Sequence, residues 1–173
     1  GKETSYVPNV DARPNNHLWP YSGMLSGNNV VLLANEWQPD KTADFGSSFT
    51  GNTWLVRLSL PSLGVESREQ IITNDPIEWG SALYSEGDYS YVLGHLDNKT
   101  YIYRTPTGQL GTAPQYYTAK GWSTNRSEVK PISSQNLQAI IKVDGKYRAI
   151  FMKKPFPKVV YETYATSITG PWT

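Results

Sequence analysis

Three nine-residue segments of this chain align without gaps, and each ends on a glycine that opens a second segment of alternating or continuous apolar character. They are Trp19-Pro-Tyr-Ser-Gly-Met-Leu-Ser-Gly27, Trp79-Gly-Ser-Ala-Leu-Tyr-Ser-Glu-Gly87 and Leu137-Gln-Ala-Ile-Ile-Lys-Val-Asp-Gly145. Asn28–Ala34, Asp88–Gly94 and Lys146–Met152 follow them, so each block reads as a β-hairpin whose glycine supplies the positive φ of a tight turn. A third strand then comes in each block: Thr53–Leu58, Thr100–Thr105 and Val160–Ala165. The turn glycines at 27, 87 and 145 are separated by 60 and 58 residues. Such a period constrains the fold more than any other feature, because a repeated supersecondary unit cannot bury its apolar face alone.

The composition agrees with short strands rather than helices. Fourteen glycines and twelve prolines are spread over 173 residues, which leaves little room for long helices. The expected class is therefore all-β. Sixteen Lys and Arg against fifteen Asp and Glu give a net charge of +1 without like-charge runs. That balance argues against a nucleic-acid partner, which calls for a clustered basic stripe. No stretch approaches the roughly 18 apolar residues that cross a bilayer, so no membrane partner is expected. Cysteine is absent, which removes disulfides, thiolate metal sites and cysteine nucleophiles together. The start, Gly1-Lys2-Glu3-Thr4, has neither an initiator Met nor an apolar signal core and implies a processed, trimmed or fragmentary chain.

Units of about sixty residues with three or four antiparallel strands are what β-propeller blades look like. The expectation is one partial propeller domain over residues 1–173, with repeats at 17–74, 75–126 and 127–173. Arg68–Thr73 and Gln115–Thr118 are the candidate fourth strands. The small first-strand residues Ser22, Gly23, Ser81 and Ala82 suit packing around an axis, and the apolar second strands suit burial on both faces. Propellers close with about four to eight blades, so about three blades imply that the rest comes from the same gene product or from another chain.

Three segments resemble the five-bladed propeller glycoside hydrolases, the arabinanase, arabinofuranosidase and xylosidase group with the related invertase-type enzymes and uncharacterised propeller domains near them. Tyr164-Ala-Thr-Ser-Ile-Thr-Gly-Pro-Trp172 is similar to the segment that closes a blade there. Asp75–Leu83 with Gly87–Gly94 resembles their strand entry and hairpin, and Leu58–Leu63 and Arg104–Gly108 resemble their outer strand ends. These motifs mark blade architecture rather than catalysis, and the base aspartate usual in the first blade has no match here. The resemblance implies a five-bladed ring acting on a plant or microbial polysaccharide, of arabinan type, in a secreted, periplasmic or cell-surface setting. No cofactor is implied, and a calcium ion in an axial channel is a question the residues do not address.

Propeller sites form where first strands enter the axial funnel, and glycoside hydrolysis uses two carboxylates. Glu78 is the leading candidate, since burial beside Trp79 would suit a general acid; the alternative is a residue capping an exposed strand start. Asp75 and Glu128 are its candidate partners, against the simpler readings of a turn before Pro76 and a solvated loop. Expected substrate contacts are His17, Trp19, Trp37, Trp79, His95, Arg126 and Gln138, with Trp19 and Trp79 as stacking surfaces or, alternatively, packing between blades. Two histidines are too few for a His-metal centre, so no metal is expected. The stretch Gln38–Asn52, with Phe45, Gly46 and Phe49, reads as an inserted specificity loop. Asn98-Lys-Thr100 and Asn125-Arg-Ser127 fit glycosylation triplets, which matter only in a eukaryotic secretory setting. No phosphate loop, nucleophile elbow or metalloprotease motif is present. A non-catalytic carbohydrate-binding propeller, and a structural piece completed by another chain, stand beside the enzyme reading.

Overall fold

In the computed structural model the described residues are 12–153 and 158–173. The start Gly1–Thr4, read above as that of a processed, trimmed or fragmentary chain, lies outside them, as does part of the 127–173 repeat. Among the described residues there is no α-helix, and the strands form three antiparallel sheets. The chain divides into two compact units, Gly1–Glu78 and Trp79–Thr173.

The first unit is built on one sheet in the order β1 (His17–Ser26), β2 (Asn29–Pro39), β3 (Ser47–Ser59) and β4 (Val65–Ile72). β2 carries buried residues on both faces, Leu33 and Ala34 among them, as an apolar run requires. Leu18, Ala34, Val56 and Leu58 form an apolar cluster on one face of the sheet. β4 coincides with the expected fourth strand to within a few residues. The expectation of an inserted loop at Gln38–Asn52 is corrected. Most of it is the continued β2–β3 hairpin, with Trp37 opposite Phe49, Gln38 opposite Ser48 and Pro39 opposite Ser47. Polar and aromatic residues there satisfy a two-stranded ribbon as readily as a loop. A bulge opposite Glu36 re-aims the ribbon. At this bulge Gly51 has φ +86°, and a Cβ there would meet Asn74 Cα at 3.0 Å and Asp75 N at 3.1 Å.

The second unit holds two sheets. One has the order β5 (Glu78–Glu86), β6 (Tyr89–Leu96), β7 (Lys99–Pro106), β8 (Gln115–Thr118) and β9 (Gly121–Ser123). The other has β10 (Leu137–Val143), β11 (Lys146–Phe151) and β12 (Tyr161–Ala165). β8 has the expected bounds; the short β9 carries no periodic signal and was not expected. Asp144 and Gly145 both have positive φ, as does the pair Asp97–Asn98 between β6 and β7, so both turns meet the demand of two-residue hairpins.

The two sheets share one apolar core. Ala82, Leu93 and Ile102 belong to the five-stranded sheet, and Leu137, Ile140, Tyr147, Ala149 and Phe151 to the three-stranded one. Lys142 Nζ donates to Glu86 Oε1 at 2.5 Å, and the Tyr147 hydroxyl donates to Glu86 Oε2, which ties the two hairpin ends. Burial first, and then this hydrogen bond, pushes the Tyr147 phenol up to about 12. β11 departs from the expected two-sided burial. It alternates, with Tyr147, Ala149 and Phe151 buried and Ile150 43% exposed.

Candidate functional site

The start of β1 is where aromatic side chains gather at the surface. In β1–β2 pairing His17 lies opposite Trp37 and Trp19 opposite Asn35; in β2–β3 pairing Trp37 lies opposite Phe49. Side chains two apart on a strand share a face, so His17, Trp19, Trp37 and Phe49 form one aromatic row. The His17 and Trp19 rings are 6.3 Å apart and the Trp37 and Phe49 rings 5.9 Å apart. Trp19 is 56% exposed, an unusual amount for the largest side chain. Three of the expected substrate contacts are thus brought together in the first unit, and Phe49, read only as part of a loop, joins them through the hairpin register.

Two polar contacts adjoin this row. The Tyr21 hydroxyl donates to Glu78 Oε2, and the buried Asn35 accepts a hydrogen bond from Thr53 Oγ1 at 2.8 Å. Burial is the main reason that the Tyr21 phenol lies far above its ordinary value, and the negative charge of Glu78 adds to it. Tyr21 therefore stays protonated and donates. Tyr21 was not among the expected site residues: a lone tyrosine in a strand gives no sign of a partner fifty-seven positions away.

The surroundings of Glu78 differ from those expected. Trp79 is fully buried and packs on Tyr103 at 4.9 Å and Tyr116 at 6.0 Å. Neighbouring strand residues point to opposite faces, so the Trp79 side chain leaves β5 on the other side from that of Glu78. The expectation of Trp79 as a stacking surface for substrate is corrected, since a side chain without exposed area cannot meet a ligand. Arg126, expected as a substrate contact, lies 5.7 Å over Trp79 and 5.6 Å over Tyr116 as a cation on their rings.

The other expected carboxylates do structural work. Asp75 is buried, and its Oδ1 accepts from Ile77 N at 2.9 Å across Pro76, the turn-shaping role that the prolyl context allowed. Glu128 is exposed on a single 3-10 turn, Arg126–Glu128, and accepts from Asn125 Nδ2 at 2.9 Å. Gln138 is exposed on β10, and His95 is half-buried near the end of β6. Neither belongs to the aromatic row of the first unit. Among the described residues no group of His, Asp and Glu side chains is arranged to hold a metal ion.

A fourth carboxylate, Glu36, carries the densest polar contacts. It is fully buried on β2. Arg13 reaches it with Nε at 2.5 Å and Nη2 at 2.9 Å, Asn16 Nδ2 at 2.7 Å, Asn52 Nδ2 at 3.0 Å and Trp54 Nε1 at 3.0 Å. Burial alone would push its carboxyl up; the bonds from Arg13, Asn16, Trp54 and Asn52 outweigh that and hold it below its ordinary value. With both oxygens saturated, Glu36 is a fastening point between the segment before β1 and the sheet, rather than a proton carrier.

Among curated proteins nothing matches the sequence. Among solved structures the chain is similar to a protein from Bacteroides ovatus ATCC 8483 described as a "putative hydrolase", with a TM-score of 0.78 and 18% identity. The likeness covers 95% of this chain and 47% of that one, so the chain spans about half the length of the solved protein. At that identity the likeness shows the fold alone. Residues 2–173 match the family described as Domain of unknown function (DUF5005), and the chain belongs to that family.

Proposed function

We propose that this chain is part of a carbohydrate-active β-propeller hydrolase, in which the row at the start of β1 seats a sugar ring and Glu78 takes part in the chemistry. The observation that carries the reading is Trp19. A tryptophan 56% exposed beside His17, on the strand whose Tyr21 holds a carboxylate, has the stacking surface and the ionisable group that a glycan site requires. Glu78, which accepts from the Tyr21 hydroxyl, is the carboxylate tied to the strand of this row and takes the acid or base role there. The similarity to a hydrolase-named protein about twice as long supports the reading, and the second carboxylate would come from outside the described residues.

Three antiparallel sheets and the spacing of their hairpins support a five-bladed ring that further blades of the same protein, or of another chain, complete. The substrate class is a plant or microbial polysaccharide of arabinan type, and a polymer of that size places the protein outside the cytoplasm.

The test uses the full-length protein with arabinan and xylan, reading reducing-sugar release together with retardation in polysaccharide gels. Glu78→Gln is expected to lower turnover by about a hundredfold or more with retardation unchanged, and Trp19→Ala to abolish retardation. Turnover that survives Glu78→Gln would overturn the catalytic role. A second reading, a binding propeller without turnover, is favoured by the structural employment of Asp75, Glu36 and Glu128. Sugar retardation dependent on Trp19 with no hydrolysis of either polymer would select it.

A further inference from the structure

A cavity lies in the other unit, between the loop before β10 and the segment Pro171–Thr173. Its volume is about 380 Å³, toward the small end of ligand pockets. One wall is the segment Ile132–Gln135, held from four directions by Thr100. Ile132 N donates to Thr100 O at 2.8 Å and Thr100 N to Ser133 O at 3.0 Å; Thr100 Oγ1 donates to Gln135 O at 2.6 Å and accepts from Leu137 N at 2.8 Å. The opposite wall is Pro171–Thr173, which a reciprocal backbone pair between Tyr164 and Thr173, both bonds 2.9 Å, fixes beside β12. Gly170 allows the walls to approach, since a Cβ there would come within 3.1 Å of Trp172 Cδ1 and 3.2 Å of Ile132 O.

The lining is chemically mixed in a particular way. Trp172 and Phe151 supply apolar ring surface. Among the described residues the exposed Ser134 hydroxyl and the half-buried Gln135 side-chain amide make no hydrogen bond, while Thr100 and Ser133 hold the Gln135 backbone. The Trp172 indole N–H is enclosed without an acceptor. A hydrogen-bonded loop that presents unused donors and acceptors beside aromatic area has the attributes of a recognition surface rather than of a packed core. Among the described residues that line the cavity the one charged side chain is Glu162, and its carboxylate already accepts from the Tyr164 hydroxyl and faces Arg148 Nη1 at 3.9 Å. Among these side chains none offers an uncompensated charge to an ionic ligand.

We infer that this cavity is a binding subsite for one neutral sugar residue, held by Ser134 and Gln135 at its hydroxyls and by Trp172 and Phe151 along its apolar face. The choice of ligand class rests on the carbohydrate reading above. The site itself shares no residue with the row at the start of β1, so the two can fail separately.

The experiment labels the protein with 5-fluorotryptophan, identifies the Trp172 signal as the one missing in Trp172→Phe, and titrates D-xylose, L-arabinose, D-glucose, D-glucuronate and glycerol. A saturable shift of the Trp172 signal in the millimolar range is expected for at least one neutral sugar. Gln135→Leu and Ser134→Val are each expected to weaken it by about tenfold, the effect of one or two lost hydrogen bonds. Both leave the signal of the free protein in place, and Trp19→Ala leaves the titration unchanged. Absence of a saturable shift with every neutral sugar overturns the subsite, as does an equal response to glycerol. Tighter binding of D-glucuronate overturns the neutral ligand class, and loss of the shift in Trp19→Ala assigns it to the first site instead.

Discussion

Glu36 shows how one residue can be both fully buried and charged. Five donor hydrogens from four side chains converge on its two oxygens, and those side chains come from positions 13, 16, 52 and 54. Replacing it by an apolar residue of similar size leaves Arg13 and three neutral donors without their acceptor. Glu36→Leu is expected to cost about 3 kcal/mol in chemical denaturation, near the lower end for a broken buried pair because Arg13 remains partly in water. The carboxyl also has a pH signature. Its folded-state value is depressed below the ordinary 4.5, so the unfolded chain takes up a proton first as acid is added. The stabilisation is complete above about 4.5 and disappears as the pH falls through the folded-state value. Stability against pH is therefore expected to fall less steeply below that point in Glu36→Gln than in the parent, and parallel curves would refute the assignment. None of this was legible in the sequence. Glu36 sits in an apolar run beside a polar turn, and its partners become neighbours only through the β2–β3 register and the segment that precedes β1.

Among the elements, the hairpins were the most legible and the long β2–β3 ribbon the least. Gly27, Gly87 and Gly145 announce their turns because the required positive φ has few other occupants. Gln115–Thr118, a candidate fourth strand in the sequence, has the bounds of β8. Gln38–Asn52 was not legible as strand, because Pro39, Asp40 and Gly46 are loop residues by any local rule and only about half the stretch obeys them. The site followed the same division. His17, Trp19 and Trp37 were expected as substrate contacts and lie in one row, whereas Trp79 is buried, because an aromatic at a strand start looks the same whether it faces solvent or Tyr103 and Tyr116. The ribbon makes its own prediction at Gly51. Gly51→Ala must accept a left-handed backbone and a backbone contact at 3.0 Å, and is expected to lose about 2 kcal/mol. Gly27→Ala meets open space and carries only the backbone term of about 1 kcal/mol. Thermal or denaturant unfolding of the pair checks the order; equal losses would show that the bulge tolerates displacement of the Asn74–Asp75 backbone.

At the scale of the whole molecule, the outer face of the three-stranded sheet is the most informative surface. Ile141, Arg148 and Tyr164 lie in one cross-strand row, and Ala139, Ile150 and Glu162 in the next. Ile141 is 55% exposed and Ile150 43%, while the opposite face of the same strands is buried in the core shared with the neighbouring sheet. A blade in a closed propeller is covered on both faces, so the proposed ring has a direct thermodynamic consequence. In the full-length protein Ile141 would pack against the next blade, and Ile141→Asp would bury an unpaired carboxylate. The expected loss is about 2 kcal/mol or more, with the charge relieved on acidification as the new carboxyl takes up a proton. If the face remained in water, the same substitution would stay within about 0.5 kcal/mol and show no such pH dependence. Denaturant unfolding of the full-length protein at neutral and mildly acidic pH separates the two, and a near-neutral result would remove the closed ring from the reading while leaving the Trp19 and Glu78 assignments to their own tests.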